Sequence, residues 1–200
     1  GQALPSSVLA VTFTNKAATE MRHRIRNLTD SDTDSMWVGT FHNIAHRILR
    51  HHWKEAGLKQ RFQIIDSDDQ LRLIKRLIKD SGFKDEEVAP KEAQWFINNR
   101  KDRGERPEQI DDYADQNFLN MVKVYKLYEQ ACQRAGLVDF AELLLSANDL
   151  WRKCPALLEQ YRRRFRHILV DEFQDTNAIQ YAWLRHLAGS EGHMIAVGDE

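Results

Sequence analysis

Asp171 and Glu172 follow directly on the apolar run Ile168-Leu169-Val170. Three apolar residues between polar ones read as a short buried strand. The carboxylates then fall at its C-terminal end, where open α/β sheets bind their ligands. Adjacent acids at such a tip can divide the work. One can hold a divalent cation, and the other can orient or deprotonate a water. Taken alone, the pair reads equally as a solvated acidic turn after a strand.

Two further strand exits carry polar residues of useful types. Thr14-Asn15-Lys16 follows an apolar run over residues 8 to 13. Gly39-Thr40-Phe41-His42 follows Met36-Trp37-Val38. Thr14, Asn15 and Thr40 are small donors next to helix starts, where phosphate oxygens are favoured. Phe13, Phe41 and His42 are flat rings of the kind that stack on bases of single-stranded nucleic acid. Each has a plainer reading as well: a helix cap for Thr14 and Asn15, core packing for Phe13, a capping or core histidine for His42. If the three strands are parallel, all three exits lie along one edge of the sheet.

The elements that must hold these residues fall into two grammars. The first alternates strand and helix. Ala17, Ala18, Met21, Ile25 and Leu28 stripe a helix after Thr14-Asn15, and residues 29 to 35 form a polar loop. Ile44, Ala45, Ile48 and Leu49 stripe a second helix, expected from about His42 to Ala56 and closed by Gly57. Helix then follows helix. Ser67-Asp68-Asp69-Gln70 reads as a capping box, Pro90 and Pro155 as first-turn prolines, and Asp139-Phe140-Ala141-Glu142 as a second capping box. Another helix is predicted from about Phe118 to Ala135, stopped by Gly136. The α/β grammar returns with the strand at 168 to 170, a helix from Asn177 to Ala188 and a strand at 194 to 197. The expected fold class is α/β. Residues 1–42 and 166–200 form two parts of a parallel-sheet core, and residues 43–165 form a mainly helical insertion between them.

Composition narrows the class. The 200 residues are 42% hydrophobic and 30% charged, with net charge -1, as in an ordinary soluble globular chain. No global basic field marks a nucleic-acid partner, so such binding must rest on local patches. Arg47-Arg50-His51-His52 and Arg162-Arg163-Arg164-Arg166 are such patches, explained as well by solvated helix faces. Cys132 and Cys154 have no metal-site spacing and suit a reducing compartment. No stretch reads as a signal peptide or a membrane span, so the expected location is cytoplasmic with no membrane partner. No GxxxxGK[ST] occurs, and no Gly is followed by Lys.

Together the motifs resemble those of the UvrD/Rep/PcrA helicases of superfamily 1. Ala10-Val11-Thr12-Phe13-Thr14-Asn15-Lys16-Ala17-Ala18 with Glu20-Met21 is similar to motif Ia, and Val38-Gly39-Thr40-Phe41-His42 to the next DNA-contacting motif. Gly136-Leu137-Val138-Asp139-Phe140 with Leu143-Leu144 resembles a signature of the inserted subdomain. Leu169-Val170-Asp171-Glu172-Phe173-Gln174-Asp175-Thr176 is similar to motif II, and Gly198-Asp199 to the opening of motif III. The resemblance implies a partial RecA-like core (1A) interrupted by the helical subdomain 1B. It implies an ATP-driven DNA helicase that moves 3′ to 5′ along single-stranded DNA and serves DNA repair. Asp171 would hold Mg2+, Glu172 would position or activate the attacking water, and Gln174 and Asp175 would join the same nucleotide network. Phe13, Thr14, Asn15, Thr40, Phe41 and His42 would form part of the DNA track. Implied partners are ATP, single-stranded DNA, junctions of single- and double-stranded DNA, and DNA repair proteins.

With no phosphate-binding loop, the chain reads as an internal fragment. It is expected to be inactive alone and to bind neither ATP nor Mg2+ tightly. The alternative is a non-catalytic DNA-binding or protein-interaction module whose acids are structural. A metal-dependent nuclease using Asp171, Glu172 and Asp175 is disfavoured, because no further acidic cluster is present to hold two metals.

Overall fold

The computed structural model describes residues 4–28, 35–83, 87–110, 115–190 and 192–198. Most of the polar loop at 29 to 35 lies outside them, as does Asp199 of the motif III resemblance.

Four strands form one sheet in the order β2-β1-β5-β6: β1 (Val8–Thr12), β2 (Trp37–Thr40), β5 (His167–Val170) and β6 (His193–Ala196). Every pairing in it is parallel. The predicted α/β core is therefore present. The crossover through α1 (Asn15–Leu28) carries the chain from β1 outward to β2. The crossover through α8 (Ala178–Ala188) carries it from β5 the opposite way to β6. The direction of winding thus reverses between β1 and β5, which makes their shared C-terminal edge a topological switch point.

Leu9, Ala10, Val11 and Thr12 of β1 are all fully buried, as a central parallel strand covered on both faces requires. β6 is the exception: Ile195, and Val197 just past the strand, are more than half exposed. β2 runs two residues further than the three-residue strand read from Met36, taking in Gly39 and Thr40. Helix α2 (Phe41–His51) starts with no intervening loop, because the Thr40 hydroxyl accepts the Asn43 amide at 3.2 Å. It stops at His51, short of the expected Ala56, and turns carry the chain to Gly57.

The helical stretch runs α3 (Ser67–Asp80), α4 (Pro90–Asp102), α5 (Gln116–Ala135), α6 (Phe140–Lys153) and α7 (Pro155–Arg164). The cap of α3 is Asp66, which accepts the Asp69 amide at 2.8 Å, one residue before the predicted capping box. A two-residue parallel pair, β3 (Gln63–Ile64) with β4 (Leu137–Val138), closes the base of α5.

Apolar packing sorts these helices into two groups. Residues of α2, α6, α7 and α8 share one cluster with the sheet, including Ile48, Leu144, Trp151, Tyr161 and Trp183. Residues of α3, α4 and α5 form a second cluster around Ile74, Ile97, Tyr125 and Tyr128. The basic runs are largely spent on this framework. The guanidiniums of Arg47 and Arg164 lie over the Trp37 ring, at 4.0 and 4.9 Å. Arg50 donates to the Phe62 carbonyl and Arg162 to the His186 carbonyl, both at 2.7 Å. Among the described residues no helix is long and apolar enough to cross a membrane.

Candidate functional site

The strand register sets the site. Thr12 pairs with Thr40, and Val11 pairs with Val170. The Asp171 amide donates to the Val11 carbonyl at 3.1 Å, so Asp171 emerges beside Thr12. Phe13-Thr14, Phe41-His42 and Asp171-Glu172 therefore leave the same sheet edge in a row, with the acids on the β5 side of the switch point.

Each exit is tied down locally. Thr14 caps α1, its hydroxyl accepting the Ala17 amide at 3.1 Å. Asn15 reaches across to α2, where its Oδ1 accepts the Asn43 side-chain amide at 2.9 Å. That bridge joins the starts of two helices, and the sequence motifs alone do not single out Asn43. Thr14 and Asn15 remain exposed. Thr40 is buried, with its hydroxyl taken by the α2 cap.

The rings divide. Phe41, expected among the stacking rings, is 1% exposed and packs between Phe13 (5.3 Å) and Trp183 (6.4 Å). It has no free face for a base, and serves as backing for the half-buried Phe13. Its place was readable: Phe41, Ile44, Ala45 and Ile48 lie at i, i+3, i+4 and i+7, one inward stripe. Phe41→Ala is expected to cost about 3–5 kcal/mol of stability, read as a fall in the urea midpoint. An unchanged midpoint would move Phe41 back to the surface.

His42 lies off that stripe and is half-buried. Burial holds its imidazole below the ordinary histidine value, so it presents a neutral ring at pH 7. Its nearest ring is that of Phe140, 6.0 Å away and edge-on. The sequence places Phe140 in a capping box and in the inserted-subdomain signature, where capping and packing account for it, yet it is 52% exposed. His42 and Phe140 together line a cleft of about 300 Å³ that also contains Gln70, Asn98, Asp102 and Asn177.

At the acidic exit, Asp171 is half-buried and Glu172 exposed. Glu172 sits at φ 51, the only non-glycine residue with positive φ among the described residues. That conformation is costly for a side chain with a Cβ, and such residues cluster where function over-determines the backbone. The turn is held because the Phe173 amide donates to Val197 at 3.0 Å and the Val197 amide to Val170 at 2.8 Å. The Gln174 side-chain amide donates to the Glu172 carboxylate. A Cβ on Gly198 would fall 2.0 Å from Gln174 Oε1, so glycine there leaves room for the Gln174 amide as it lies across to Glu172. Asp175 is exposed within the short 3-10 turn Phe173–Asp175.

The donor chemistry suits a hard divalent cation. Mg2+ is usually held by one or two carboxylates, with water and substrate phosphate completing its shell. Among the described residues no three His, Cys, Asp or Glu side chains converge to hold a metal by themselves. Asp171 is placed to supply one such carboxylate.

A parallel sheet with acids and small donors at its switch point, and rings along the same edge, is the layout of an open α/β domain that takes its ligand at the C-terminal ends of its strands. The chain belongs to the UvrD/REP helicase N-terminal domain family, whose model matches residues 1–200. It is 57% identical over 196 residues to DNA helicase II of Escherichia coli (strain K12), covering 98% of the chain and 27% of that protein. To DNA helicase II of Haemophilus influenzae it is 54% identical over 198 residues, covering 97% and 27%. To the ATP-dependent DNA helicase PcrA of Staphylococcus epidermidis it is 36% identical over 196 residues, covering 98% and 27%. The chain thus spans 27% of the length of these relatives.

Proposed function

We propose that this chain is part of an ATP-dependent DNA helicase that translocates 3′ to 5′ on single-stranded DNA and unwinds duplex during repair. The observation that carries the reading is the row of three strand exits at the switch point, acids on one side and donors and rings on the other. Family membership supports the direction and the nucleotide. Residues 1–42 and 166–200 would be the two parts of the core domain, with residues 43–165 inserted, and the protein would work in the cytoplasm.

Asp171 would hold Mg2+ and Glu172 would orient the attacking water or take its proton. When bound, the ion supplies charge neutralisation on the transferring phosphate. Gln174, fixed between Glu172 and Gly198, would report the nucleotide state toward β6, and Asp175 would extend the same network. Phe13, Thr14, Asn15 and His42 would contact single-stranded DNA directly. Phe140 joins them because its ring is exposed beside His42, while Thr40 and Phe41 would support the track from beneath. Junction DNA and DNA repair proteins are the partners expected of the longer protein.

The 200 residues hold no GxxxxGK[ST] loop, so they lack the cradle and the lysine that phosphoryl transfer needs. Purified alone, the chain is expected to show no DNA-stimulated ATP hydrolysis. Extended to the full length of its relatives, it is expected to hydrolyse ATP when single-stranded DNA is added. Hydrolysis by the 200-residue chain, or none by the extended protein, would sink this reading.

A further inference from the structure

Among the described residues, Lys101 is the one buried lysine, at 2% exposure. It stands on α4 and points inward on the stripe of Ala93 and Ile97, both fully buried. Its ammonium reaches Asp139 Oδ2 at 2.7 Å and Glu142 Oε2 at 2.9 Å. Removing an ammonium from water is costly unless several charged partners replace the lost hydration. A buried lysine with two carboxylates is therefore a feature to be explained, and the turn it holds offers the explanation.

Asp139 is where three helices of the second cluster converge. Its Oδ2 accepts from Lys101 on α4, from the Tyr128 hydroxyl on α5 at 2.7 Å, and from Gln70 on α3 at 3.4 Å. Its other oxygen, Oδ1, caps α6 by accepting the Glu142 amide at 2.8 Å. Glu142 is fixed in turn, since its carboxylate takes Arg106 at 2.7 and 3.0 Å as well as Lys101. The residue between this clamp and the surface is Phe140, the first residue of α6. It follows the cap directly, and its exposed ring meets His42 of α2.

We propose that Lys101 is a positioning residue for single-stranded DNA: through Asp139 it fixes the start of α6 and thereby holds the Phe140 ring beside His42 as a base-stacking shelf. Lys101 itself touches no DNA. The proposal rests on the DNA-track reading above and goes beyond it, by making the shelf's geometry depend on a buried charge pair inside the helical insertion. A ring on the first turn of a helix has little packing of its own to hold it. Its direction follows from the cap, and the cap's direction follows from the groups that grip its carboxylate.

The test is a double-mutant cycle on the 200-residue chain at low salt, where phosphate contacts are strongest. The probe is an oligo-dT carrying 2-aminopurine, whose fluorescence reports stacking and whose titration gives affinity. Phe140→Ala is expected to weaken binding about tenfold and to remove the stacking signal. Lys101→Met, measured below its melting temperature, is expected to weaken binding and change the stacking signal in the same direction. In the Phe140→Ala background, Lys101→Met should add nothing, since the shelf is already gone. Lys101→Met with Asp139→Asn is a second variant. It removes both charges, leaves no lone buried ion, and keeps a good cap. It is expected to fold and to show the same loss, so the test survives if the single variant does not fold.

An unchanged affinity in folded Lys101 variants, with Phe140→Ala impaired, overturns the positioning role. So does an equal loss from Lys101→Met with and without Phe140, which marks a purely structural effect. No loss from Phe140→Ala, or no binding by the unmodified chain, would instead remove the shelf reading and the proposal with it.

Discussion

Glu172→Gln in the full-length protein is expected to lower single-stranded-DNA-stimulated ATP hydrolysis by about 10²–10⁴-fold, the range lost with a general base. Gln keeps the size and the hydrogen bond to Gln174 but cannot take a proton. Glu172 is exposed, sits in a left-handed turn, and is gripped by Gln174, while the next residue, Phe173, is tied by its amide to the Val197 carbonyl. Nothing in the apolar core depends on its charge, so the melting temperature should barely move. Nucleotide binding should also survive, because Asp171 retains its carboxylate. The measurement is steady-state hydrolysis beside nucleotide affinity. Unchanged hydrolysis would show that the strand-tip acids are structural, as in a non-catalytic module. Lost binding together with lost hydrolysis would instead place Glu172 on the cation.

Second in expected effect is the response of the chain to acid. Lys101 and Arg106 beside the buried Glu142 carboxyl hold it well below its ordinary 4.5, against the upward push of burial. A carboxyl depressed on folding contributes stability that is fully present above its unfolded value and is lost as pH falls toward its folded value. Stability should therefore fall from about pH 4.5 downward. Burial raises the Glu129 carboxyl despite its contact with Arg106, which works in the opposite sense. Glu142 dominates, since it lies between two cations while Glu129 meets one. Breaking such a buried pair from one side typically costs about 3–5 kcal/mol. Glu142→Gln should thus flatten the acid limb of a urea-midpoint profile and lower the midpoint at pH 7. A profile that keeps its acid limb in that variant would assign the acid sensitivity elsewhere.

Much of this arrangement was legible in the sequence where one physical rule acted alone. Short apolar runs ending in polar residues marked β1, β2 and β5, and the acid pair fell at the strand end it was read to occupy. Helix starts at Pro90 and Pro155, and Gly136 after α5, follow from backbone preferences that tertiary context did not override. Phe41 went astray because its motif placed it with the rings, although its helical spacing placed it with the core. Lys101 shows the reverse. It lies in the charged run Arg100-Lys101-Asp102-Arg103, which reads as a solvated face, yet it continues the Ala93–Ile97 stripe at i+4. Only the structure shows that Asp139 and Glu142, at the start of α6, come to meet it. The extended piece from Phe62 to Ile65 was legible and holds β3, but a pair two residues long on each side is too short for the sequence to name β4 as its partner. The division of the helices into two clusters also escaped, because α2, α6 and α7 carry ordinary amphipathic stripes that do not name their partners.

The assignment of one sheet edge to both nucleotide and strand rests on where DNA lies, and photo-crosslinking reads that directly. Single-stranded DNA carrying 4-thiothymidine, crosslinked to the full-length protein and mapped by mass spectrometry, should label peptides containing Phe13, His42 and Phe140. Labelling there should weaken when Phe13 and Phe140 are replaced by alanine. Crosslinks confined to other faces, such as the arginine run of α7, with none at Phe13, His42 or Phe140, would contradict it.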